Sequence, residues 1–236
     1  MKFVSSRSSL LCLLLLLIPG RFYAQIAGGG TAVGRENLCV TEGAVDKAPK
    51  NRLAVNATKM RAYVSAPASQ AIQAHFTYAG PTAEESNLGS GASRVQFGLK
   101  LHAQDACNLV YAMWRIEPES KIVVSVKRNP GQTRSSECGN RGYQNVKPRR
   151  VEAAPALRAG DTHTLAAKIV GDELYVFVDS TEVWDGSLGP DAQGLQGPVG
   201  IRSDNARLLL DLTVGAAAGT RPDHPLACKS GPDASD

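Results

Sequence analysis

Seven side chains in this chain have the chemistry to orient and stack a polar ring such as a sugar. Gln96, Lys100 and His102 alternate along one run, and Tyr111 and Arg115 alternate along the next. Arg141 and Tyr143 lie in the long polar segment that follows. An aromatic face packs on apolar C–H surface, and Gln, Lys and Arg supply donors that fix orientation. In an extended strand, residues two apart share a face. Gln96, Lys100 and His102 are therefore expected opposite Val95, Phe97, Leu99 and Leu101. By the same parity Tyr111, Met113 and Arg115 oppose Val110, Ala112 and Trp114, which are assigned to the core. The expected outer face is polar and mildly basic, with Lys127 on it and the basic segment 134–150 closing over it. Trp184 is a further aromatic candidate.

Other chemistry finds less support, and no catalytic residue is assigned. Glycoside hydrolysis needs two carboxylates about 5–10 Å apart. The nearest pair is Glu117-Pro118-Glu119, where Pro118 makes a turn rather than a strand face. Asp172-Glu173 and Glu84-Glu85 read as turn charges. His102, Tyr111 and Arg115 on neighbouring strands would be the members of a lyase-type proton-abstracting set. There is no G-x-S-x-G nucleophile motif, and no C-x-x-C or Cys/His spacing for zinc.

These residues must be positioned by strands. Short alternating runs at 53–57, 60–65, 71–79, 94–102, 108–117, 122–128, 163–170, 174–179, 182–184, 199–203 and 207–214 are separated by turn residues. That spacing predicts an all-β, two-sheet antiparallel sandwich. Segments 80–93 and 129–161 are long polar connections, of the kind that carry function. The expected organisation is a signal peptide at 1–24, an N-terminal linker at 25–50, a sandwich domain at 51–215 and a C-terminal tail at 216–236.

Two stretches carry a family resemblance. The stretch 162–214 contains the hairpin LYVFVDSTEVWDG, then GPVGIRSDNA and a last strand with Leu208, Leu210, Leu212 and Val214 on one face. The stretch 96–112, QFGLKLHAQDACNLVYA, turns at Asp105 and Asn108 into the next strand. Both resemble the concanavalin A-like (laminin G-like) jelly-roll superfamily, in its secreted bacterial branch. The resemblance implies a jelly-roll sandwich and a glycan-handling protein. Members include binding modules, glycoside hydrolases, polysaccharide lyases and protein-interaction modules, so it implies no single reaction. It also implies Ca²⁺ at the rim as an optional cofactor, with Asp179, Asp185, Asp204 and Asn205 as candidate oxygen ligands.

The leader settles compartment and redox state as expectations. Residues 1–9 carry Lys2 and Arg7 and no acid, 10–18 are almost unbroken leucine, and Pro19-Gly20 end the run. This reads as a secretory signal cut after Ala24, giving a secreted or periplasmic protein with no membrane span in the mature chain. Of 26 basic and 22 acidic residues, Lys2, Arg7 and Arg21 leave with it, so one net positive charge remains. Nothing in that balance points to nucleic acid. Cys39, Cys107, Cys138 and Cys228 remain, an even number that implies disulfides in an exported chain. Three pairings are open. The favoured one is Cys107–Cys138, pinning a long loop to a strand, with Cys39–Cys228 tying the termini, which meet in most jelly rolls. The expected function is a secreted, non-catalytic glycan-binding or envelope-associated module. A polysaccharide-active enzyme and an envelope protein-interaction module are the alternatives.

Overall fold

The computed structural model describes residues 30–65, 69–215 and 228. The expected signal peptide, and the expected tail apart from Cys228, lie outside the described residues. In chain order the strands are β1 (Thr31–Val33), β2 (Leu38–Glu42), β3 (Asp46–Lys47), β4 (Leu53–Val55), β5 (Lys59–Val64), β6 (Ala71–Pro81), β7 (Val95–Leu101) and β8 (Leu109–Glu117). They continue as β9 (Lys121–Lys127), β10 (Tyr143–Asn145), β11 (Arg150–Val151), β12 (Thr162–Val170), β13 (Glu173–Val178), β14 (Thr181–Ser187), β15 (Gly200–Asp204) and β16 (Ala206–Val214). Among the described residues the one α-helix, the short α1 (Ser135–Cys138), lies in the second long connection.

The strands form two antiparallel sheets, as the turn spacing predicts. The seven-stranded sheet runs β10-β9-β8-β7-β15-β5-β2. The nine-stranded sheet runs β11-β14-β13-β12-β6-β16-β4-β3, with β1 added beside β16. Alternation drives the packing. Phe97, Leu99, Leu101, Val110, Ala112 and Trp114 all face inward and are fully buried. From the other sheet Phe76 meets Phe97 at 5.0 Å and the Trp114 ring edge-on at 5.8 Å between centroids. Each such side chain removed from water contributes roughly 1.5–3 kcal/mol. Trp114 donates its indole N–H to Ser120 Oγ at 2.9 Å, so the core carries no orphan donor there. Both favoured disulfides are present, with Cα separations of 5.4 Å for Cys39–Cys228 and 5.9 Å for Cys107–Cys138. Among the described residues no helix is long and apolar enough to cross a membrane.

The linker expected at 25–50 is corrected. From Thr31 onward these residues join the sandwich as β1, β2 and β3, and Val33, Leu38 and Val45 enter the core. The strands are too short to show an alternating pattern, and a 3-10 turn at Arg35–Asn37 breaks it further. Arg35 knits the segment by donating to Val45 O at 2.6 Å and Leu38 O at 3.1 Å. The connection at 129–161 likewise adds β10 and β11 to the sheet edges.

Candidate functional site

Three rungs of paired residues cross the outer face of the seven-stranded sheet. One reads Ser125, Tyr111, Lys100, Gly200 and Tyr63 from β9 to β5. The next reads Val123, Met113, Gly98, Arg202, Arg61 and Glu42. The third reads Lys121, Arg115, Gln96, Asp204 and Lys59. Side chains on one face thus stack into a charged array across strands that are distant in sequence. It floors a cleft of about 580 Å³.

Two loops wall this cleft. Residues 82–94 are held by Asn205, a fully buried residue with φ of 54°. Its amide donates to Ser86 O at 2.9 Å and Arg94 O at 3.0 Å, and its Oδ1 accepts from Ser86 N at 2.8 Å. Leu88, Gly89 and Ser90 then line the cleft. The opposite wall, residues 129–145, is pinned by Cys107–Cys138 and by two buried asparagines. Asn108 Oδ1 accepts from Asn129 N at 2.9 Å, and the Asn129 amide donates to Cys107 O and Arg141 O, both at 3.1 Å. This wall presents Ser135, Gly139, Asn140, Tyr143 and Asn145. The loops meet where Gly89 packs beside Asn140.

Asp204 is the hub of the floor. It is 0% exposed and accepts from Arg61 at 2.6 Å, Gln96 at 2.7 Å and Arg202 at 2.9 Å. Burial alone would raise its carboxyl, but Arg61 and Arg202 outweigh it and hold the pKa at about 2. Arg202 also donates to Tyr143 Oη at 3.1 Å and lies over the Tyr111 ring at 5.0 Å. Tyr143 stacks on Tyr111 at 5.9 Å, with Lys127 Nζ 5.1 Å from its centroid. Burial favours the neutral phenol of Tyr143, yet Arg202 and Lys127 win and its pKa lies below the ordinary tyrosine value. Burial pushes Tyr111 the other way, helped by Tyr143.

Gly98 keeps the floor low. A Cβ there would lie 2.5 Å from both Ala112 O and Met113 Sδ, and 2.7 Å from Met113 Cα. Two of these are backbone atoms of β8, which cannot swing aside. Gly98→Ala is expected to destabilise the fold by about 1–3 kcal/mol. The denaturant midpoint reports this, and a midpoint equal to that of the parent protein would show that β8 yields freely.

The seven expected site residues divide. Gln96, Tyr111, Arg115 and Tyr143 line the cleft. Lys100 faces the expected way but is 1% exposed beneath the array, where burial first, then Arg61, Arg202 and Lys127, lowers its pKa well below the usual lysine value. His102 does not join them. Its φ of 46° turns the chain out of the strand, ending the alternation one residue early, and it lines a smaller pocket with Asp172 and Leu188. Arg141 spends its guanidinium on Glu137 O and Cys138 O, capping α1. The basic segment contributes Ser135, Gly139, Asn140, Tyr143 and Asn145 to the cleft lining and none of its cations; Arg149 pairs with Asp185 and Glu173, and Arg150 with Glu182. The lyase-type trio is not assembled, since His102 lies outside the cleft and Tyr111 is buried under Tyr143 and Arg202. Trp184, like Trp114, is a core residue. Of the rim candidates, Asp179 engages His163, Asp185 engages Arg149, Asp204 is the hub and Asn205 holds the loop. Among the described residues no three His, Cys, Asp or Glu side chains gather as metal ligands would.

Lys59, Arg61, Arg94 and Arg202 are not among the site residues expected from the sequence, and Asp204 is expected there only as a rim cation ligand. A signal existed. In β5, Lys59 and Arg61 alternate with the core residues Met60 and Ala62, and in β15 Arg202 and Asp204 flank the buried Ser203. Charge at every second position places these residues on the outer face; what sets Arg61 and Asp204 apart is their burial there, which the alternation does not report.

No family model matches the chain, and no curated protein matches its sequence. Its likeness is to solved structures. The carbohydrate binding module CBM66 from Bacillus subtilis aligns over 74% of this chain and 91% of its own, at 13% identity and a TM-score of 0.51. A Bacillus subtilis protein of unknown function with a galectin-like fold aligns over 78% and 91%, at 7% identity and a TM-score of 0.49. The Crh5 transglycosylase in complex with NAG aligns over 80% and 85%, at 11% identity and a TM-score of 0.48. The likeness to the CBM66 structure concerns the fold alone, a two-sheet antiparallel β-sandwich.

Proposed function

We propose that the protein is an exported glycan-binding module and that the walled cleft is its binding site. The observation that carries this is the Tyr143 ring. It is 36% exposed at the cleft and set on Tyr111, beside a floor whose charged groups are locked by buried hydrogen bonds. A half-exposed ring over a preorganised polar floor suits a saccharide, with an apolar face to stack and hydroxyls to bond. The fold shared with a structure named as a carbohydrate binding module supports the same reading. Binding without hydrolysis fits the acids present. The cleft holds Glu42 and, below it, Asp204, whose carboxyl has no proton to give near neutral pH. The two disulfides suit an oxidising compartment outside the cytoplasm. An envelope polysaccharide is the finer reading of the partner.

The test is a glycan array on the disulfide-bonded protein, followed by calorimetry on the best binder. Tyr143→Ala is expected to weaken binding tenfold or more, equivalent to about 1.4 kcal/mol. Unchanged affinity would move the site elsewhere. Silence on every glycan, with capture of an envelope protein instead, would favour the protein-interaction alternative.

A further inference from the structure

We propose, resting on the glycan-binding reading, that the ligand is an acidic saccharide whose carboxylate or sulfate sits between Arg94 and Arg115. The cleft is lined by Lys59, Arg61, Arg94, Arg115, Lys127 and Arg202 against a single acid, Glu42. The chain without its expected leader has 23 basic and 22 acidic residues, whereas the cleft lining has six basic residues and one acid, a local excess far above that balance.

These cations are not equivalent. Arg61 and Arg202 are neutralised by Asp204, and Glu42 approaches Arg61 at 3.8 Å. Lys127 donates to Ala106 O and covers Tyr143. Arg94 and Arg115 differ. Neither guanidinium makes a hydrogen bond or ion pair with any described residue, and both line the cleft. Burial first, then the charge of Arg94, lowers the pKa of Arg115, so the two cations are near enough to repel. Glu119, the acid that acts on Arg115, is held by Lys121. Two partly buried guanidiniums lining one cleft, neither paired with an acid, are at their most favourable with an anion between them. A planar guanidinium offers paired N–H donors that match a carboxylate or sulfate edge. Lys59, next to Asp204 on the same rung as Arg115, extends the field along the floor.

The array decides between sources if it carries uronate-bearing, sulfated and neutral oligosaccharides together with duplex DNA. Acidic saccharides are expected to be the binders, with affinity falling as salt rises. Methyl esterification of a uronate binder is expected to weaken it tenfold or more, whereas binding confined to sulfated members assigns sulfate. Arg94→Gln and Arg115→Gln are each expected to weaken the acidic binder about tenfold without lowering the melting temperature. Neutral saccharides as the sole binders would overturn this inference and leave the glycan reading standing. Silence on all saccharides would end both. DNA bound as tightly as the best saccharide would overturn the acidic-saccharide assignment, and unchanged affinity in both arginine variants would overturn the placement.

Discussion

Replacing Asp204 with alanine is expected to lower stability by about 3–5 kcal/mol, the effect of leaving buried partners of an ion pair uncompensated. The size follows from the neighbours. Arg61 is 4% exposed, and Arg202 is held on the same carboxylate, so both guanidiniums would lose their hydrogen-bonded counter-ion at once, leaving Arg61 only Glu42 at 3.8 Å. Gln96 would lose its acceptor as well. The same hub makes stability depend on acid. The folded carboxyl titrates at about 2, below its ordinary 3.8. A depressed folded pKa contributes stability above the unfolded value, and that contribution is lost as pH falls from about 4 through about 2. The difference is worth about 2 kcal/mol. Denaturant titrations of the parent protein and Asp204→Asn should therefore converge across that window. A gap between them that stays constant from pH 5 to pH 2 would mean that the carboxyl is not held ionised by its arginines.

What the sequence disclosed and what it hid separate along a physical line. Parity along one strand is local, so the inward set of Phe97, Leu99, Leu101, Val110, Ala112 and Trp114 was legible, as were Gln96, Tyr111 and Arg115 opposite it. Parity states which face a residue takes, not what lies over it. Lys100 takes the expected face and is nevertheless buried. Parity also lasts only while the backbone stays extended, which fails at His102. Neighbours across the sheet were the larger gap. The order β8-β7-β15-β5 places residues near 100 beside residues near 200, then beside residues near 60. The Arg61–Asp204–Arg202 hub therefore exists only once the sheet is assembled. GIRSDNA in the sequence is a mark of fold, yet the same residues also build the floor and hold a wall. The strands at 31–47 are short and their burial does not alternate, so the sequence reads there as a linker.

The disulfides should separate stability from binding. Cys39–Cys228 closes 189 residues and Cys107–Cys138 closes 31. By chain entropy their removal costs about 5 and about 4 kcal/mol respectively, as ceilings that native strain reduces. The binding effects should run in the opposite order. Cys39 lies on the edge strand β2 and lines no part of the cleft. Cys138 ends α1, and the residues beside it, Ser135, Gly139 and Asn140, form the wall that meets Gly89. Without the link to Cys107, that wall relies on the hydrogen bonds of Asn108 and Asn129, the backbone bonds at Thr133 and Gly142 and the pairing of β10 with β9, and gains freedom that a ligand must remove. The double serine variant of Cys39 and Cys228 is thus expected to melt lowest while keeping affinity within about twofold. The double serine variant of Cys107 and Cys138 is expected to melt somewhat higher and bind about tenfold more weakly. Calorimetric melting and titration on the two variants read both quantities, at a temperature where each remains folded. Equal affinity in the second variant would show that the hydrogen bonds of the wall hold it without the disulfide, and a larger loss in the first would place the ligand nearer β2 than Tyr143.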